Sequence, residues 1–361
     1  MISLFINDRF HNRKVDFFNE VQVVLRFDSV ASTFAFNYYF NPKNPDHKEM
    51  ACVSHFHDVT VKFGDETLIT GVLLQQRFSQ SSTKQLASFG GYSRTGVLED
   101  CTIPPSAYPL QSNGLSLAQI AQKVISTFNP KINLVVDSAV SGRANEVLAV
   151  STSMEQQRIK QYLTELATQK NIILTHDELG NLVLTEAKKN QKPILSFDLS
   201  KPNPAGVEFD FDFNGQGMHS HITLMKQASI DGGNAGQNTI RNPYVVGSVT
   251  RPIVQNQSSG TDNDTGLAAR QALSNELRNV KLNIKLDRWT VDGKIIRPGS
   301  TIEVIGNELF FFKKTTWFIE QVTFTGNERE TTASINCVLP EVYTNEILES
   351  IFANINIHAR I

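Results

Sequence analysis

Cysteine is scarce in this chain: 361 residues carry three, Cys52, Cys101 and Cys337, widely spaced and without a CxxC pair. That spacing excludes a disulfide framework and argues against a structural zinc site, whose cysteine ligands come in close pairs. The three are expected as buried thiols of a protein folded in a reducing cytoplasm. Net charge is equally thin, with a formal value of −2 and 19% charged residues. Lacking a basic field, the chain has little with which to neutralise phosphates, which argues against static nucleic-acid binding. No apolar run approaches the roughly 18 residues that span a bilayer. At the N-terminus, MISLFINDRFHNRK places its basic residues after a short apolar start, the reverse of a secretory signal. A soluble protein with no membrane insertion is expected.

Catalytic signatures are missing as well. No serine, Ser106 and Ser151 included, stands in a GxSxG elbow, and neither HExxH nor GxxxxGK[ST] occurs. A glycosidase carboxylate pair would leave no such trace, so the absence weighs against an enzyme but leaves that chemistry open.

What is present begins with length, enough for several domains with their own cores. Phenylalanine is abundant at 23 residues and clusters in strand-like runs, as suits sheets whose pleated faces pack rings. The character of the chain changes over Thr83 to Pro105, TKQLASFGGYSRTGVLEDCTIPP. Leu86 to Phe89 finishes a strand, and Gly90 and Gly91 permit unusual backbone angles or a close chain approach. Arg94, Glu99, Asp100 and Cys101 follow, and Pro104-Pro105 then fixes φ twice. The stretch reads as a strand leaving one domain through a rigid exit.

Upstream, residues 1–102 read as strands. Val21, Val23 and Leu25 recur with period two, as do Phe34 and Phe36, then Val59, Val61 and Phe63. Asn41 to Pro45 is a loop, Gly64-Asp65 a turn, and Leu68 to Leu74 a strand running past Gly71. Residues 103–195 change to helical spacing. Ser116 and Gln119 have the capping-box interval ahead of Leu117, Ile120, Ala121, Val124, Ile125 and Phe128; Ser153 and Gln156 repeat it ahead of Ile159, Tyr162, Leu163, Leu166 and Ala167. Each helix leads into an apolar strand, at Ile132 to Val136 and Ile172 to Leu174, and Leu182 to Leu184 follows.

From residue 196 strands return, with Phe209, Phe211 and Phe213 alternating against Asp210 and Asp212. Loops are predicted at Ala228 to Gln237 and Gln255 to Asp264, with a strand at Pro243 to Val249 and a helix over Leu267 to Val280. Four strands close the region: Lys281 to Asp287, Thr301 to Ile305, Thr316 to Val322 and Ala333 to Leu339. The predicted fold is α+β, mostly β, with two β-barrel-like domains flanking a small α/β domain. The segments are 1–102, an N-terminal β-barrel-like domain; 103–195, the α/β domain, with the helical 236–280 region packing on it; 196–342, the second β-barrel-like domain; and 343–361, a C-terminal docking tail.

One polar constellation invites a site: Glu208, Asp210, Asp212, His219 and His221. Were Asn214 to Gly217 a four-residue hairpin loop, Asp212 would sit opposite His219 and Asp210 opposite His221, carboxylate and imidazole at metal-ligand distance. Alternation with phenylalanines explains the same face as the wet side of a half-buried strand, and that explanation is preferred. His55 and His57 alternate beside Asp58 without a third ligand and read as structural. Arg94, Glu99 and Asp100 read as an ion-pair cluster, within a domain or across a subunit boundary. No catalytic, cofactor-binding or metal residue is assigned.

Gly91-Tyr92-Ser93-Arg94-Thr95, then Leu98-Glu99-Asp100-Cys101 and the helix at Ser116, resembles the pattern of Mu-like phage tail proteins, the baseplate hub proteins of contractile tails. The resemblance extends to Glu20-Val21 with Arg26, Asp28 and Ala31-Ser32-Thr33-Phe34, to Gly71, to Arg270, Glu276 and Arg278, and to Gly293 with Arg297-Pro298. It implies a non-enzymatic virion structural protein: a homotrimeric ring in which two β-barrel domains per subunit match the sixfold tail tube, with the threefold spike on the other side. Implied partners are further copies of the chain, the tail tube protein, the spike and other baseplate proteins, with DNA passing through the lumen without stable binding. The implied place is the tail baseplate of a phage or prophage virion, assembled in the host cytoplasm. Alternatives are a hub of a contractile secretion or injection system, which would share the fold, and a tail-associated metal-dependent hydrolase using Asp210, Asp212, His219 and His221.

Overall fold

The structure, a computed structural model, describes residues 2–7, 12–16, 18–81, 85–108, 114–129, 131–148, 157–188, 191–202, 206–225, 237–247, 250–256, 265–327, 329–346 and 348–353. The chain forms two compact units, each discontinuous in sequence: Met1–Glu186 with Leu286–Pro298 and Gln321–Ser334, and Ala187–Lys285 with Gly299–Glu320 and Ile335–Ile361.

The first unit opens with β1 (Ile2–Asn7), β2 (Asn12–Val15), β3 (Glu20–Arg26) and β4 (Thr33–Tyr39). Asn44 then caps a short helix, α1 (Pro45–Met50), by accepting from Asp46 N, with Pro45 supplying the preset φ of a first turn. Strands β5 (Asp58–Phe63), β6 (Glu66–Gln80) and β7 (Gln85–Ser93) complete an antiparallel run in the order β3-β4-β7-β6-β5-β1-β2. Period-two burial explains it: Val21, Val23, Phe34, Phe36, Tyr38, Val59 and Val61 all point inward. The pairing of β6 with β7 shifts by one residue between Leu73 and Gln75, a bulge beside Gly91 and Gly90.

The chain leaves β7 through a 3₁₀ turn, Arg94–Gly96, into α2 (Val97–Asp100). Next come α3 (Leu117–Ile125), β8 (Leu134–Val136), α4 (Ser141–Asn145), α5 (Ile159–Gln169), β9 (Ile173–His176) and β10 (Leu182–Thr185). Ser116 and Gln119 form the expected reciprocal cap of α3. Ser153 and Gln156 lie outside the described residues and do not open α5, which starts after an extended Arg158 that makes no side-chain cap. Strand β10 lies between β8, parallel, and β9, antiparallel. The predicted stripes of α3 and α5 are buried on one shared core, Leu117, Ile120, Val124, Tyr162, Leu163 and Leu166 among them. The two helix-to-strand units are thus present.

The second unit contains β11 (Leu195–Asp198), β12 (Val207–Phe213), β13 (His221–Met225), β14 (Gln237–Arg241), β15 (Pro252–Asn256), α6 (Thr265–Glu276) and β16 (Val280–Leu286), the last residue of which falls in the first unit. Two short strands, β17 (Thr290–Val291) and β18 (Lys294–Ile295), belong to the first unit. The chain ends with β19 (Thr301–Gly306), β20 (Phe311–Asn327), β21 (Thr331–Val338) and α7 (Glu341–Thr344). Helix α6 packs on β13 and β14 and buries Ala269 and Leu273. Residues 243–247, expected to begin a strand, form a turn and a bend, and the rest of that strand and the two predicted loop cores, 228–236 and 257–264, lie outside the described residues. Of the tail, Phe352 is docked against Phe211, Phe213 and Tyr244.

The fold is α+β and mostly β, but the two separate barrels are not what the hydrogen bonding describes. Among the described residues the strands β12-β16-β21-β20-β3-β4-β7-β6-β5-β1-β2 follow one open path without a closing pair, with β19 and β11 branching from β20. The physical reason is the length of β20, 17 residues, whose early part pairs with β19 and whose late part pairs with β3.

Candidate functional site

The hairpin that would have gathered Asp210, Asp212, His219 and His221 does not form. Asn214 accepts from Gln216 N and folds Gly215–Gly217 into a 3₁₀ turn, and Arg251 holds that turn by donating to the carbonyls of Gly215 (2.6 Å) and Gln216 (2.8 Å). The chain leaves it into another sheet, where β13 pairs with β14 and β15 while β12 pairs with β16. The carboxylates therefore meet β16: Asp210 accepts from Asn283 at 3.4 Å and Glu208 lies 3.5 Å from Lys285. His219 instead turns to Glu276, whose carboxylate accepts from its backbone N at 2.8 Å and its ring Nδ1 at 2.6 Å. His221 Nδ1 lies 3.1 Å from Ser220 Oγ. Among the described residues, no three His, Cys, Asp or Glu side chains gather as a metal ion requires.

His55 and His57 sit in the connection before β5, not on a strand, with ring centroids 5.6 Å apart. The Arg94 cluster is also separated. Arg94 lies 3.7 Å from Asp58, Glu99 accepts from Ser29 Oγ and pairs with Lys160, and Asp100 accepts from Tyr92 OH at 2.9 Å. All of these lie within the first unit, where they tie α2 to its surroundings.

Sequence reasoning missed His176, at the end of β9. Its Nδ1 is 2.6 Å from the Ser29 carbonyl and its Nε2 is 2.8 Å from Ser32 Oγ. A carbonyl only accepts, so Nδ1 carries the proton and Nε2 accepts from Ser32. Burial holds the imidazole below its ordinary pKa, against the opposing pull of the Ser29 carbonyl and of Asp177, Glu99 and Glu178. Also missed was Glu341, which is 6% exposed and whose carboxyl is pushed up by burial, with Glu346 adding to the rise. Nothing in either residue's sequence neighbourhood marks it.

Among the other apolar features of the described residues are these two. In the first unit, a cavity of about 410 Å³ is lined by Ile2, Phe18, Phe63 and Trp289, with Arg288 and Thr331 also on its wall. In the second, the turn from β19 to β20 exposes two rings, Phe310 at 60% and Phe312 at 48%, whose centroids are 6.2 Å apart. In the sequence they stand in the run FFFKK, Phe310 to Lys314. Among the described residues, no helix is long and apolar enough to cross a membrane.

Comparison with known proteins gives this geometry a setting. Residues 95–186 match the family described as "Baseplate hub protein gp44-like, second domain". No curated protein sequence matches the chain. Among solved structures, the 43 kDa tail protein of prophage MuSo2 from Shewanella oneidensis is similar over 95% of this chain and 100% of its own, with TM-score 0.78 and 20% identity. The tail protein from Neisseria meningitidis MC58 is similar over 95% and 98%, with TM-score 0.77 and 18% identity. A component of the E. coli type VI secretion system, itself structurally similar to the T4 bacteriophage tail proteins gp27 and gp5, is similar over 96% and 80%, with TM-score 0.55 and 12% identity. Residues 95–186 thus carry the match to the second domain of gp44-like baseplate hub proteins, and nearly the whole chain has the fold seen in prophage tail proteins.

Proposed function

We propose that this chain is a structural subunit of a tail baseplate hub, three copies of which close into a ring between a sixfold tail tube and a threefold spike. The observation that carries the reading is the gp44-like hub match over residues 95–186, set within a chain whose fold follows prophage tail proteins along 95% of its length. In this reading the two β regions of each copy supply six β surfaces around the axis, and the partners are the tube, the spike and other baseplate proteins. The ring belongs to the tail of a contractile virion, is assembled in the host cytoplasm, and passes DNA through its lumen without retaining it. A formal charge of −2 suits such a lumen, since a basic wall would hold DNA by releasing counterions. We assign no catalytic, cofactor or metal residue, and the hydrolase alternative loses its geometry with the hairpin. Metal analysis after dialysis should accordingly find no stoichiometric zinc or manganese.

The likeness to the type VI secretion component favours a second setting, the hub of a contractile injection apparatus, with the same ring. Capsid and portal genes beside the coding sequence would separate the two. The ring itself is tested by native mass spectrometry of the intact assembly. Three copies are expected, and a single copy at every concentration would contradict the proposal.

A further inference from the structure

Phe311 is 1% exposed and is held by Trp317, 5.4 Å away, and by Phe211, 5.0 Å away. Strand alternation then turns Phe312 to the outer side, and Phe310, the residue just ahead of the strand, is exposed as well. Phe310 also has a left-handed backbone, φ 62 and ψ 23, which a bulky aromatic rarely adopts. Two exposed rings on one turn, one of them in a conformation disfavoured for its type, form a knob that contributes little to the packing of its own unit. Such outliers gather where a chain binds something. Glu308 is exposed on the same turn, and Lys314 beside it is paired with Glu303 at 3.0 Å.

The cavity in the first unit is concave and apolar where the knob is convex, and its exposed Arg288 is opposite in sign to Glu308 and like in sign to the knob's exposed Lys313. Its base is Ile2, 3% exposed, and Trp289, 5% exposed, whose ring is fixed by Nε1 donating to the carbonyls of Thr325 (3.1 Å) and Thr332 (2.9 Å). Phe63 lies 5.6 Å from that ring. Thr331 is exposed on the wall, and so is Arg288, whose nearest acid, Asp287, is 3.7 Å away. At about 410 Å³ the space accommodates aromatic side chains, and Arg288 can meet Glu308.

Building on the ring proposed above, we infer that the Phe310/Phe312 knob of one copy inserts into the Trp289 cavity of the next. The two surfaces differ, so the contact is head-to-tail and either closes into a ring or runs on as a filament. Two aromatic side chains bury about 150–250 Å² each, less than the roughly 1,000 Å² of a stable interface, so the knob is the anchor and not the whole contact.

The test uses the full chain in three forms: wild type, the knob variant F310S/F312S, and the blocked-cavity variant T331R. All the substituted positions are exposed, so thermal midpoints should match wild type. Each variant alone should lose the trimer, with dissociation constants raised about 30-fold or more, as for interface hot spots. An equimolar mixture of the two has one intact knob and one intact cavity, and should give heterodimers that do not close. E308R and R288E should each weaken assembly by about 5-fold or less, and the charge-swapped pair should restore it. A wild-type trimer whose knob variant stays trimeric, or a mixture that stays monomeric, would overturn this contact and leave the ring standing. A monomeric wild type would overturn both.

Discussion

At Gly91, an alanine methyl would lie 2.0 Å from the Val72 carbonyl oxygen and 2.8 Å from the Phe34 ring; on the facing strand, Gly71 would meet the Tyr92 carbonyl at 1.9 Å. Neither glycine has a positive φ, so what matters is close approach between β6 and β7, tightened by the bulge between them. Gly91→Ala should destabilise the protein by about 2–4 kcal/mol, read from the shift of the urea midpoint. Gly64→Ala serves as a control in which a positive φ of 59 is the sole strain, since no atom lies within 4 Å of the added methyl; its cost should be smaller, about 1 kcal/mol. Close approach was legible at Gly91 because two glycines interrupt an otherwise strand-like run. His176 was not legible, because its partners Ser29 and Ser32 are 147 and 144 positions away.

The apolar stripes of α3 and α5 were legible because a helix carries its own hydrogen bonds and period; the cap was legible at α3 alone, since α5 starts after Arg158 without a side-chain cap. Ser116→Ala should cost about 1 kcal/mol by freeing the Gln119 N–H from its cap, measured by denaturant unfolding. Strand pairing is different. The alternation along Phe209, Phe211 and Phe213 located β12 well, but alternation carries no information about the neighbour, and β16 took the place assigned to a hairpin. Misplacing that neighbour is what had created the metal-like cluster. The contact of β9 with the loop ahead of β4 supplies a pH test. Folding holds His176 neutral below its ordinary pKa, so its contribution to stability is complete above about pH 6.5. It is lost as pH falls below that value toward the folded pKa, at no more than about 1.4 kcal/mol per pH unit. In His176→Gln this part of the acid dependence should vanish, and stability at pH 7.5 should drop by about 1–2 kcal/mol for the lost buried hydrogen bonds. An unchanged acid slope would show that the imidazole does not couple to folding.

For the whole molecule, the order of elements along the chain was readable, while the compact units join segments distant in sequence. Segment 103–195 emerged from the sequence as an α/β region, yet residues 1–186 form one compact unit together with two later segments. Strands β20 and β21 explain the difference, since each contributes residues to both units, and no local pattern announces a strand that divides itself in this way. The same scale holds the functional claim. The ring proposed here requires copies of the chain to close on one another, so association decides it. The most direct measurement is multi-angle light scattering of the purified chain over a wide concentration range and at several salt levels. The account predicts three copies per particle, held at high salt because the proposed contact is centred on apolar rings and not on exposed ion pairs. A monomer throughout would contradict it.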